Sequence, residues 1–158
     1  MNIVRRLSAA LLLAALPLAA SAAHPFDGRY RVQPERVVWS NGQLPAGFSL
    51  TLDLAFEGER IHYRSVNDTN PRDPKRNDFY IELDNRPHPL PGYARYNQIQ
   101  GRRLSASEYE VLHLQDGDVI VAEFWQFLPD ARQLVRRGVG KSPEGRSKAF
   151  EEYFQRID

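Results

Sequence analysis

From Phe48 to Phe56 the chain alternates without a break. Phe48, Leu50, Leu52, Leu54 and Phe56 fall on one side, and Ser49, Thr51, Asp53 and Ala55 on the other. Successive side chains of a strand point to opposite faces, so this is a strand with one buried face. A helix would scatter the five large apolar residues around its circumference. Glu57-Gly58 is a turn signal, and Ile61, Tyr63 and Val66 carry a returning strand over 60–66. Together the two segments read as a hairpin.

The same reading extends along the chain. Asp27 to Gln33 forms the first strand. Residues 67–77 hold no apolar residue and two prolines, the composition of a solvated loop. The oxygen-bearing residues there (Asn67, Asp68, Asn70, Asp73) and the adjacent Asp78 suggest calcium, but Arg72, Lys75 and Arg76 oppose a cation and the helix-loop-helix calcium pattern is missing. Phe79, Ile81 and Leu83 mark a strand at 78–83, and Asp84-Asn85 a turn. Pro87, Pro89 and Pro91 forbid a long central strand, and the next strand is expected at 93–99. Residues 107–115 and 118–128 flank Asp116-Gly117, the signature of a two-residue type I′ turn. Leu128-Pro129-Asp130-Ala131 reads as a type I turn, 132–140 runs back, and Ser142 to Gly145 turns again. In the final element, 147–157, Ala149, Phe150, Tyr153, Phe154 and Ile157 have helical spacing. Phe150 and Phe154 also suit a strand. An antiparallel closing strand is expected, with a helix as the alternative. The total is about nine short strands in an antiparallel meander, which removes its exposed edges by closing into a barrel.

The first 23 residues have the three parts of a secretory signal: Arg5 and Arg6, an apolar run from Ala9 to Ala20, and small residues at Ala20-Ser21-Ala22-Ala23. The expectation is cleavage after Ala22 or Ala23, a periplasmic or secreted location, and no stable membrane anchor afterwards. His24 to Asp158 is then one β-barrel domain, long enough to build a core without covalent help. Loss of Arg5 and Arg6 turns a formal +1 into −1, so the charge predicts no nucleic-acid partner. The chain has no cysteine, which excludes thiol nucleophiles, thiolate metal sites and a lipidated cysteine.

Gly28-Arg29-Tyr30 on the first strand, the proline-bearing turn from Asp84 to Gly92, the Asp116-Gly117 hairpin and the even strand spacing resemble the small lipocalin-like (calycin-type) barrels that many bacteria export. Lipocalins carry Gly-x-Trp on that strand, and Tyr30 stands here in the tryptophan's place. The resemblance implies an up-and-down barrel whose interior holds a small apolar or amphipathic ligand.

Register arithmetic supplies the candidate site. With Gln115 opposite Asp118, Glu110 falls opposite Glu123. With Leu128 opposite Arg132, Glu123 falls opposite Arg137. With Ser142 opposite Arg146, Glu151 lies beside Arg137. Glu110, Glu123 and Arg137, with Trp125 on the same face, are therefore expected to form a ligand-binding polar spot in an apolar cavity. An outward face carrying an exposed charge ladder is the alternative. Arg137 would keep both carboxylates ionised, which argues against acid–base work. No Gly-x-Ser-x-Gly, His-Glu-x-x-His or phosphate-cradling glycine loop is present. No catalytic residue, metal site or cofactor is assigned, and a metal-dependent or hydrolytic enzyme ranks last. His24 as a new N-terminus has the donors for copper but no specified partner. His113 reads as a packed or hydrogen-bonded core residue. Two readings remain, a ligand-binding barrel and an interaction protein with a packed core. They are separated by whether Trp39, Trp125, Phe124 and Phe127 fill the interior.

Overall fold

Alternation along so many consecutive segments demands a sheet with one buried face, and the computed structural model shows how that face is closed off. The structure describes residues 23–142 and 144–158, so the expected export segment lies, but for Ala23, outside the described residues. Eleven strands form one antiparallel sheet: β1 (Gly28–Val32), β2 (Val38–Trp39), β3 (Leu50–Phe56), β4 (Arg60–Asn67), β5 (Lys75–Glu82), β6 (His88–Pro89), β7 (Gln98–Arg103), β8 (Glu108–Gln115), β9 (Asp118–Phe127), β10 (Gln133–Lys141) and β11 (Ser147–Arg156). Their order is β5-β4-β3-β1-β11-β10-β9-β8-β7-β6, with β2 extending the edge of β11 beyond β1. The final element is the strand, not the helix. The strands beyond the expected set, β2 and β6, hold two residues each.

The sheet rolls until β5 meets β7. The seam is made by a bridge between Asp84 and Arg102 and by the Asn85 N–H donating to the Gly101 carbonyl at 2.9 Å. Gly101 allows the approach. A Cβ there would lie 2.5 Å from the Ile81 side chain and 2.8 Å from the Glu82 carbonyl. The strand expected at 93–99 lies instead at β7. Tyr93 and Tyr96 belong to the irregular segment before β7 and pack against the core. In that segment the Tyr93 ring meets Phe79 edge-on, closing the wall where β5 and β7 diverge.

One end of the barrel is filled. Phe26 stacks on Phe127 with ring centroids 4.2 Å apart, and Phe56 and Tyr109 pack edge-on or tilted against them. Asp27 ties this plug to the wall: one carboxylate oxygen accepts from the Phe56 N–H at 2.7 Å, the other from the His24 N–H at 2.8 Å. Tyr30, fully buried where a lipocalin has tryptophan, donates its hydroxyl to the Phe26 carbonyl at 3.1 Å.

Two registers differ from the simple arithmetic, each by one residue. The Asp116-Gly117 turn has the expected positive φ at both positions, but Leu114 pairs with Val119 while His113 pairs with Val121. Ile120 is an extra residue in β9, a bulge that no composition signal marks. The turn after β9 is one residue longer than expected. The Leu128 N–H donates to the Gln133 carbonyl at 2.9 Å, and Ala131 takes φ 55°. A one-residue slip exchanges the two faces of a strand. Glu110 therefore pairs with Phe124, not Glu123, and Arg137 also pairs with Phe124. The β10–β11 register is the expected one, with Arg137 opposite Glu151.

Candidate binding cavity

Because of those slips, the inner face of β8–β11 carries Glu123, Trp125, Arg136 and Glu152. Leu134, Arg136 and Gly138 alternate inward along β10, and Phe150, Glu152 and Phe154 along β11, while β8 contributes His113. All four polar groups are buried: Arg136 7%, Glu123 8%, His113 8% and Glu152 4% exposed. Arg136 is the hub. Its Nε and Nη2 both donate to Glu152 Oε2, at 3.0 and 2.5 Å, and its Nη1 lies 3.7 Å from Glu123 Oε1. The indole N–H of Trp125 donates to Glu123 Oε2 at 2.8 Å, and that of Trp39 to Glu152 Oε1 at 3.2 Å. His113 Nε2 is 3.8 Å from Glu123 Oε1, while its Nδ1 is buried without a hydrogen-bond partner among the described residues.

Glu110 and Arg137 belong to the other face of the wall. Glu110 accepts from Arg102 Nε and Nη2 at 2.8 and 3.0 Å. Arg137 donates to Glu151 at 2.6 Å and to Gln126 at 3.1 Å. Phe124, between them in register, is 46% exposed, so it does not fill the interior. Of the residues expected at the site, the structure brings Glu123 and Trp125 together inside and leaves Glu110 and Arg137 outside. Arg136 and Glu152 were missed. Glu152 had a legible signal, because it lies between Phe150 and Phe154 on an alternating strand. Arg136 had none, since either arginine of the Arg136-Arg137 pair fits the pattern until the turn length is known.

Above this cluster the barrel is hollow. The cavity measures about 890 Å³ and opens at the end opposite the aromatic plug. Its walls include Leu50, Tyr63, Phe79, Tyr96, Val121 and Phe150, and Arg136, Glu123, Glu152 and His113 border its inner end. Trp125 and Phe127, almost wholly buried, fill the barrel below. The molecule is a cup, with a packed lower half and an open upper half.

Burial alone would raise the Glu123 carboxyl, but Arg136 and His113 hold it below the ordinary carboxylate value. Burial would likewise neutralise Arg136, and the two carboxylates keep its guanidinium firmly charged. His113 is pushed below its ordinary value by burial, with Glu123 opposing only in part, and is neutral at pH 7. Burial raises the Tyr63 phenol, and the Tyr96 phenol rises to about 12. Arg136 thus stands between two carboxylates, and the formal charges of these three side chains leave one negative in excess. Their neutral hydrogen-bonding neighbours are His113, Tyr63 and the Ser65 hydroxyl, which accepts from Asn77 at 2.9 Å. Among the described residues no group of three His, Asp or Glu side chains is arranged to hold a metal ion.

No protein-family model matches the chain, and no curated protein matches it in sequence. Solved structures match it in shape. Zebrafish ileal bile acid-binding protein complexed with cholic acid superposes with a TM-score of 0.53 at 8% identity, over 84% of this chain and 99% of that one. Lipid binding protein 8 of Caenorhabditis elegans gives 0.54 at 10% identity, over 89% and 100%. As-p18, an extracellular fatty acid binding protein, gives 0.53 at 12% identity, over 87% and 100%. At these identities the likeness is one of fold: the chain is an all-β, antiparallel, nearly closed barrel of the lipocalin-like, calycin type.

Proposed function

We propose that the protein binds one small amphipathic molecule inside the upper half of its barrel. The observation that carries this reading is the hollow itself. About 890 Å³ lies within the range of small-molecule sites, roughly 300–1,000 Å³. The alternative of an interaction protein with a fully packed core requires that space to be filled. Amphipathic fits the lining better than purely apolar. Tyr63, Phe79 and Val121 offer apolar contact, but a plain hydrocarbon would leave His113 Nδ1 without the partner that a buried polar group needs. The barrels of like fold include one complexed with cholic acid and one named for fatty acid binding, which agrees with a bound amphiphile.

The direct test is a fluorescence titration with the neutral hydrophobe N-phenyl-1-naphthylamine. The expected result is saturable one-to-one binding, weakened about tenfold or more (about 1.4 kcal/mol) when Val121→Trp fills the cavity. Failure to bind, or equal binding by the variant, contradicts the reading. We also propose that residues 1–23 direct export, on the strength of Arg5-Arg6, the apolar run and the small residues that follow. A native protein beginning at Ala23 or His24 by intact mass, recovered outside the cytoplasm, is the expected outcome. A cytoplasmic chain retaining Met1 contradicts it.

A further inference from the structure

The charges around the cup are sorted by depth. At the inner end one guanidinium, Arg136, is shared by two carboxylates, so that end is negative overall. At the mouth the sign reverses. Lys75, Arg95, Arg146 and Lys148 line it, with Glu144 the carboxylate among them. Lys75 is paired with Asp73 at 2.6 Å. Among the described residues, Arg95, Arg146 and Lys148 pair with no carboxylate. Arg95 donates instead to the Lys141 carbonyl, and the Lys148 ammonium lies over the Trp39 ring. Arg95 and Lys148 meet at one place on the rim: Arg95 Nη2 would lie 3.8 Å from a Cβ on Gly140, the residue that pairs with Lys148 across β10 and β11. Burial disfavours the charged form of Lys148, Glu152 favours it and Arg95 opposes it. Like charges held near one another repel in the empty protein, and an anion placed between them relieves that repulsion.

Resting on the reading of the cavity as a binding site, we propose that its ligand is an anionic amphiphile bound with the anion at the mouth. The Arg95–Lys148 pair takes the anionic group, and the neutral, hydrogen-bonding body points inward toward His113 and Tyr63. The opposite orientation sets an anion against Glu123 and Glu152, with no free guanidinium to receive it. A cationic amphiphile would have to pass Arg95, Arg146 and Lys148 to reach the acidic inner end. Depth-sorted charge therefore selects both the class of ligand and its direction of entry.

Two dyes with the same aromatic body separate this from the underlying reading: N-phenyl-1-naphthylamine, which is neutral, and 1-anilinonaphthalene-8-sulfonate, which carries a sulfonate. The wild-type protein is expected to bind the sulfonate about tenfold more tightly than the neutral dye. That ratio should shrink as salt is raised from about 20 to 500 mM, because charges at an open mouth are screened. In the Arg95→Gln, Lys148→Gln double variant the ratio should fall to near one, with near-UV circular dichroism confirming that the fold is intact. Neutral dye bound with no preference for the sulfonate overturns the anion site and leaves the binding cavity standing. A preference that survives in the folded double variant also overturns it. Neither dye bound overturns both readings.

Discussion

At the scale of single residues the molecule depends on one buried guanidinium. Among the described residues, Arg136 is the one cation within 4.0 Å of both Glu123 and Glu152. Removing one partner of a buried ion pair leaves the other uncompensated, at a cost of about 3–5 kcal/mol. The same burial makes the site sensitive to acid. His113 is held below its ordinary value of 6.5 by burial. Glu123 lies below its ordinary 4.5 because Arg136 and His113 outweigh burial. Both groups take up a proton more readily in the unfolded chain. Their contribution is therefore complete above the ordinary values and is lost as pH falls, from about 6.5 downward for His113 and from about 4.5 downward for Glu123. Urea midpoints of the wild type are expected to drop between about pH 7 and 5, and the drop should be smaller in His113→Gln. An equal drop in both proteins would remove His113 from the account. Glu123 and Trp125 were legible in the sequence as neighbours on an inward face. Arg136 was not, because adjacent arginines are indistinguishable to an alternating pattern, and only the backbone between Leu128 and Gln133 decides which one enters.

At the scale of elements, alternation found the long strands, and turn chemistry found Asp116-Gly117, where both residues take positive φ. What alternation cannot see is a residue that belongs to no alternation. The Ile120 bulge and the left-handed Ala131 each add one residue, and each exchanges inside for outside. Ala131 carries no turn signature, since an alanine in that conformation costs about 1–2 kcal/mol relative to its right-handed form. The segment before β7 is not the strand expected there: Tyr93 and Tyr96 lie outside the sheet pairing, stack on one another and pack against the core. Barrel closure is likewise hidden in the sequence, resting on Gly101 among polar neighbours. A methyl group there meets Ile81 and the Glu82 carbonyl, so Gly101→Ala is expected to destabilise the protein by about 1–3 kcal/mol through overpacking. Amide exchange should rise first at Asn85, whose N–H closes the seam. A neutral substitution would mean that β5 and β7 do not meet as described.

At the scale of the whole molecule, the two ends of one barrel are built for different tasks. The aromatic plug of Phe26, Phe56, Tyr109 and Phe127 supplies apolar burial at one end. That leaves the other end free to keep a hollow, a polar inner surface and a cationic mouth, none of which contributes comparably to stability. The sequence foretold the barrel and the presence of both aromatic and charged inward residues. It did not foretell their segregation, which follows from where the turns place the register. A crystal structure of the protein grown with an iodinated N-phenyl-1-naphthylamine tests this division most directly. The account predicts an iodine anomalous peak inside the barrel, between Val121 and Tyr63, above an intact Arg136–Glu152 pair. A peak on the outer wall beside Phe124 and Val139, or an upper half closed by side chains, would contradict it.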